Sequence, residues 1–205
     1  MATLLTDLAR ELRRFVEAHD RGDATLGMAV IGGLAVSARS GPRFTRDVDL
    51  AVSVASDADA EALVHALLAR GYRTFAVLEH ASGRLSTARF IPPGGAEDAV
   101  LVDVLFASCG IEPEVVAAAD PVEVLPDLLL PVAQVGHLMA MKLLSATPRR
   151  SQDTTDLHAL LDVADDAELQ RCRDAITLIE ARGYNRGRDL HAALATLLAL
   201  RDSAE

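Results

Sequence analysis

The sequence predicts an α+β fold: a mixed or antiparallel sheet flanked by helices, followed by a helical C-terminal region. Three observations carry this. Apolar runs at 28–31, 47–52, 72–78, 85–91 and 99–107 have the length of strands. The last three follow one another across turn signals at 81–83 and 92–95, and connections that short join antiparallel neighbours rather than a uniform parallel sheet. Beyond Pro131 the only remaining pattern is helical spacing. Two parts are therefore expected, a mixed domain at 1–130 and a helical domain at 131–205.

The elements follow in chain order. Residues 4–19 place Leu4, Leu5, Leu8, Leu12, Phe15 and Val16 at helical spacing among charged residues, an amphipathic helix. The segment 21–23, Arg-Gly-Asp, breaks it. A strand at 28–31 runs into Gly32 and Gly33, where glycine permits a sharp turn and the close approach of another group. Residues 34–39 make a short helix whose N-terminal amides suit an anion. Ser56 and Asp59 form a capping box opening a helix with Ala62, Leu63, Ala66 and Leu67 inward, and Gly71 ends it. Residues 112–119 are helix-like, 122–125 and 128–130 are short apolar pieces beside prolines, and helices are expected at 133–144, 147–161, 166–182 and 188–202.

Composition bounds the function. The chain has 205 residues, 50% of them hydrophobic, enough for a substantial core. No run approaches the roughly 18 apolar residues of a membrane span, and the N-terminus lacks the pattern of a signal peptide. A cytoplasmic protein with no membrane partner is expected. Cys109 and Cys172 lack metal-ligand spacing and read as free thiols. The net charge of −10 argues against a broad nucleic-acid surface but leaves room for a small basic patch. Its positive charge comes from nineteen arginines and one lysine, Lys142. The six histidines are scattered, and no Ser/His or Cys/His arrangement competes as a catalytic unit.

The chemistry concentrates on the second strand. Side chains alternate along a strand, so Asp47 and Asp49 share one face, with Arg43 and Thr45 expected on the same side and Val48, Leu50 and Val52 turned to the core. Carboxylates held this close repel one another unless a cation lies between them, and hard oxygen ligands suit Mg²⁺ or Mn²⁺. Asp103 lies in an otherwise apolar strand. Alone it reads as an edge aspartate bonded to a backbone amide; beside Asp47 and Asp49 it reads as a third ligand. Three such carboxylates would hold two metal ions for phosphoryl or nucleotidyl transfer. Lys142 is either a stem snorkelling at the core edge or a cation aimed into a cleft. Asp153 and Asp156 share a helix face, with a plain helix-dipole reading also open.

Taken together, Gly32-Gly33, Arg43-Phe-Thr45-Arg-Asp47-Val-Asp49 and the strand Asp103 resemble the nucleotidyltransferase superfamily of the DNA polymerase β type. The later segment, Lys142 followed by Arg149, Arg150 and Asp153-Thr-Thr-Asp156, resembles the AbiEii/AbiGii toxin family, including MenT-like toxins. The resemblance spans about residues 25–162. It implies a nucleotidyltransferase fold and metal bound by Asp47, Asp49 and Asp103. It implies a triphosphate held by Gly32, Gly33, Arg43 and Thr45, with Lys142 on the nucleotide phosphates and Asp156, or Asp153, as base or orienter. It further implies transfer of a nucleoside monophosphate from a nucleoside triphosphate to an acceptor, tRNA in characterised members, and neutralisation by an antitoxin. Two other readings stay open: a small-molecule transferase of the aminoglycoside-modifying type, which would need an acidic acceptor pocket, and a non-catalytic protein keeping the fold for binding.

Overall fold

The computed structural model describes residues 1–19, 27–80, 83–96, 100–147 and 151–202. The expected break at 21–23, most of the turn at 81–83, the start of the strand at 99, and Arg149 and Arg150 lie outside them. Along the chain run α1 (Ala2–His19), β1 (Gly27–Ile31), α2 (Gly32–Ser40), β2 (Val48–Ser53), α3 (Asp57–Ala69), β3 (Arg73–Glu79), β4 (Leu85–Ile91) and β5 (Val102–Leu105). Then follow α4 (Glu112–Ala118), β6 (Asp120–Leu125), β7 (Leu128–Val132), α5 (Val135–Ser145), α6 (Ser151–Val163), α7 (Asp166–Ala181) and α8 (Leu190–Asp202). The fold is α+β, as expected.

The strands form one mixed sheet in the order β3-β4-β5-β2-β1-β7-β6. The pairs β3–β4, β4–β5, β1–β2 and β6–β7 are antiparallel, while β2–β5 and β1–β7 are parallel. The two apolar pieces beside prolines are thus a hairpin, turned at Asp127, whose φ is 63°. β7 runs to Val132, beyond the expected boundary at 130. Arg39 of α2 fastens this edge by donating to the carbonyls of Val132 and Ala133 and by pairing with Asp120.

Alternation divides the central strands as expected. Val48 and Leu50, paired with Val102 and Val104, and these in turn with Phe90 and Ala88, are all buried. Leu5, Leu8, Leu12 and Phe15 of α1 are buried too. In α3 the inward stripe is Ala60, Leu63 and Leu67; Ala66 is exposed, one position off the expected face. The Ser56 cap forms, its hydroxyl accepting from the Asp59 amide at 3.2 Å, and Gly71 takes φ 87° behind the helix. Helices α5 to α8 pack on one another, and α2 bridges them to the sheet through contacts with α5 and α6. Cys109 and Cys172 are buried free thiols.

Candidate active site

The site begins with a row across four strands. Arg89 on β4 pairs in register with Asp103 on β5, Asp103 with Asp49 on β2, and Asp49 with Ile31 on β1. Registered neighbours in a sheet put their side chains on the same face. Asp49 and Asp103 therefore face together, as the sequence suggested, and Ile31 leads directly into Gly32-Gly33.

The glycines are tight. Gly32 takes φ 61°, and a Cβ there would collide with the Asp49 carboxylate. A Cβ on Gly33 would meet Thr45 Oγ1 at 2.6 Å and overlap the Arg43 guanidinium. Gly33 donates its amide toward Asp49. The Asp49 carboxyl is pushed up to about 6, first by burial and then by Asp103, with Asp47 adding to this and Lys142 opposing it. The three acids and the lysine thus feel one another across a single space.

Arg43 and Thr45 reach the site from a loop rather than from the strand. β2 starts only at Val48, because its partner β1 ends at Ile31, opposite Asp49, and turns into α2. Among the described residues, 43–46 pair with no strand. The loop is held instead by Ser37, whose hydroxyl accepts from the Arg43 amide and donates to its carbonyl. Asp47 also precedes the strand proper, and its Oδ1 accepts from the Leu101 amide at 3.2 Å.

Opposite the sheet lies an ion-pair network. Lys142 Nζ stands 2.8 Å from Asp153 Oδ1 and 2.7 Å from Asp156 Oδ2. Arg43 Nη2 donates to Asp156 Oδ2 at 3.0 Å, and its Nε lies 2.9 Å from Oδ1. Gln152 donates to Asp156 Oδ1, and Ser145 to Asp153 Oδ2. Asp156 is fully enclosed, at 0% exposure. Such a group cannot meet a substrate directly; it joins the loop cation Arg43 to the helix cation Lys142. Lys142 is no snorkelling stem, since its ammonium turns inward to two acids.

Asp103 departs from the expected free ligand. Both of its oxygens accept from Arg89, at 2.6 Å from Nε and 2.5 Å from Nη2. Among the described residues no group of three or more His, Cys, Asp or Glu side chains is arranged to hold a metal ion. Asp47 and Asp49 fit one divalent cation: they are hard oxygen donors on the wall of one cleft, and a bound cation would offset the mutual repulsion of the two carboxylates. A three-carboxylate cage does not fit while Arg89 occupies Asp103.

These groups line a cleft of about 660 Å³. Five basic side chains, Arg43, Arg46, Arg89, Lys142 and Arg186, stand on its wall against four acidic ones, Asp47, Asp49, Asp103 and Asp153. The cleft wall is thus close to charge balance in a chain of net charge −10, with Arg43, Arg89 and Lys142 each paired to an acid. Sequence reasoning missed Arg89 and Arg186. Arg89 had a usable signal, a charged residue in the middle of an apolar strand run; Arg186, at φ 54° in the segment before α8, had none.

A family model described as nucleotidyl transferase AbiEii toxin, type IV toxin–antitoxin system, matches residues 14–205. No curated protein matches the sequence. Among solved structures, the antibiotic-resistance factor ANT(2'')-Ia aligns over 97% of this chain and 99% of its own, with 16% identity and a TM-score of 0.50. The lincosamide adenylyltransferase LnuA, solved with lincomycin, aligns over 76% of this chain and 97% of its own, with 13% identity and a TM-score of 0.43. MenT4, a nucleotidyltransferase toxin from Mycobacterium tuberculosis H37Rv, aligns over 94% of this chain and 92% of its own, with 16% identity and a TM-score of 0.35.

Proposed function

The chain belongs to the AbiEii nucleotidyl transferase toxin family of type IV toxin–antitoxin systems, and from that premise we propose that it transfers a nucleoside monophosphate from a nucleoside triphosphate to tRNA. It is a nucleotidyltransferase, which sets aside a non-catalytic role. The observation that supports the acceptor class is a cleft wall that is not predominantly acidic, five basic side chains standing against four acidic. A cationic small acceptor needs an acidic pocket, which this wall does not offer; a polyanion needs only that acids not dominate its approach.

In the reaction an acceptor hydroxyl oxygen bonds to the α-phosphorus. The bond from that phosphorus to the bridging oxygen breaks, and its electron pair leaves with pyrophosphate. The hydroxyl proton passes to solvent. Little covalent chemistry falls to the protein, so positioning and charge balance decide the rate. Nucleotidyltransferases generally use divalent metal ions; here Asp47 and Asp49 would hold Mg²⁺ or Mn²⁺, which supplies positive charge at the phosphates. Gly32 and Gly33 let the Asp49 carboxylate and the Arg43 and Thr45 side chains close against the backbone, since a Cβ at either glycine would collide with them. Arg43, Thr45 and Lys142 supply donors from the opposite side. Asp156 positions Arg43 and Lys142 rather than taking the proton, because it is enclosed between them. The family implies an antitoxin partner. No helix among the described residues is long and apolar enough to cross a membrane, and we place the reaction in the cytoplasm, with its triphosphates and tRNA.

The test is incubation with α-labelled nucleoside triphosphates, Mg²⁺ or Mn²⁺, and either total tRNA or a panel of aminoglycosides and lincosamides. Label is expected on tRNA. Asp49→Ala is expected to lower transfer more than about a hundredfold with the circular dichroism spectrum unchanged. Label on a drug in place of tRNA would overturn the acceptor, and full activity in Asp49→Ala would overturn the site.

A further inference from the structure

We propose that this chain handles its triphosphate with one divalent ion and one guanidinium: Arg89, gripped by Asp103, takes the place of a second metal ion at the reacting phosphates. This rests on the nucleotidyl-transfer reading above and says which cations serve it.

The geometry is a fork-to-fork pair. Arg89 and Asp103 face each other in register on adjacent strands, and Nε and Nη2 each donate to a different carboxylate oxygen. The acid end of the pair is the hidden one, with its side chain 10% exposed; the guanidinium end is 40% exposed and opens on the cleft beside Asp49. A guanidinium has five N–H donors. The pair uses two and leaves three not engaged by Asp103, on a side chain that lines the cleft. A planar fork of this kind suits phosphate.

A second metal ion drawing on Asp103 would meet a fixed positive charge already seated on both of its oxygens. Seating the ion would mean breaking a bidentate, charge-assisted pair and leaving Arg89 without its partner. The other cations across the cleft are placed differently: Lys142 and Arg43 are tied to Asp153 and Asp156. Arg89 is the one described cation that stands in the same strand row as Asp49. Its charge would balance the α-phosphate oxygens and the departing pyrophosphate with no change in the bonds made and broken.

The experiment counts metal and measures nucleotide binding without turnover. The full chain is titrated with Mn²⁺, read by electron paramagnetic resonance, in the presence of the α,β-methylene analogues of ATP, CTP, GTP and UTP. One Mn²⁺ per chain is expected with the analogue that binds, and still one in Asp103→Asn. Arg89→Gln is expected to weaken analogue binding at least tenfold while the count stays at one. Arg89→Lys, which keeps the charge but loses the fork, is expected to fall between the two and covers the case in which Arg89→Gln does not fold. Two Mn²⁺ per chain, with one lost in Asp103→Asn, would overturn the proposal, as would analogue binding in both Arg89 variants equal to the parent. A parent that binds neither Mn²⁺ nor any analogue removes the transfer reading itself, and this assignment with it.

Discussion

At the scale of single residues, Asp156 decides the most. It has no exposure, two cations against it, and an amide from Gln152. A buried charge is tolerable only when paired and hydrogen-bonded, and removing one partner leaves the others uncompensated. Asp156→Asn keeps the shape and removes the charge that Arg43 and Lys142 share. The expected loss is about 3 kcal/mol of stability, or roughly 6–12 °C in melting temperature for a chain of this size. Triphosphate binding weakens at the same time, because both cations lose their common anchor. Thermal melts and a nucleotide titration check both parts; a parent-like melt would show that the network is not what holds loop and helix together. The spacing of Asp153 and Asp156 put them on one face in advance, and the family resemblance gave Asp156, or Asp153, as base or orienter. That they clasp Lys142 and Arg43 could not be read from their own helix.

At the scale of elements, each piece has a local cause that can be tested apart from the site. α3 starts where Ser56 turns its hydroxyl to the Asp59 amide, and Asp59 accepts from that hydroxyl at 2.7 Å. Ser56→Ala is expected to cost about 1 kcal/mol, roughly 2–4 °C, with transfer unchanged, since α3 contributes no side chain to the cleft. A melt and a transfer assay on one preparation check this; lost activity at parent-like stability would contradict it. The loop before β2 shows the opposite case. Its sequence alternates like a strand, yet strand pairing needs a partner, and β1 has already turned into α2. Alternation reports which side a residue would face, not whether a neighbour exists to pair with it.

At the scale of the whole molecule, His137 tests how the helical layer is seated. It is buried on α5, its Nδ1 has no hydrogen-bond partner among the described residues, and its charged neighbours are Arg171 from α7 and Glu114 from α4. Burial first, and Arg171 second, push its pKa down to about 4 from 6.5, while Glu114 opposes them. The unfolded chain binds a proton below pH 6.5 that the folded chain refuses until about pH 4. Folding stability therefore falls as pH drops through that window. His137→Leu lacks this titration. The parent is expected to lose about 2 kcal/mol relative to the variant between pH 7 and pH 4.5, read from denaturant midpoints. A difference that stays constant over that range would contradict the assignment.

Much of this was legible in one dimension. Residue spacing alone placed two aspartates on one strand face and put Lys142 and two later acids on helix faces. These are matters of spacing within about five residues, which the periods of strand and helix dictate. Which charges meet depended on how the elements pack. Arg89 finds Asp103 across 14 residues, and Arg43 finds Asp156 across 113. Those meetings depend on strand order, on the register that aligns Arg89, Asp103 and Asp49, and on the seating of α6 against α2. A period assigns each side chain to a face, but the long-range order of the elements sets what stands opposite it, and in this cleft the opposite charge settles whether an acid is free to bind metal or already held.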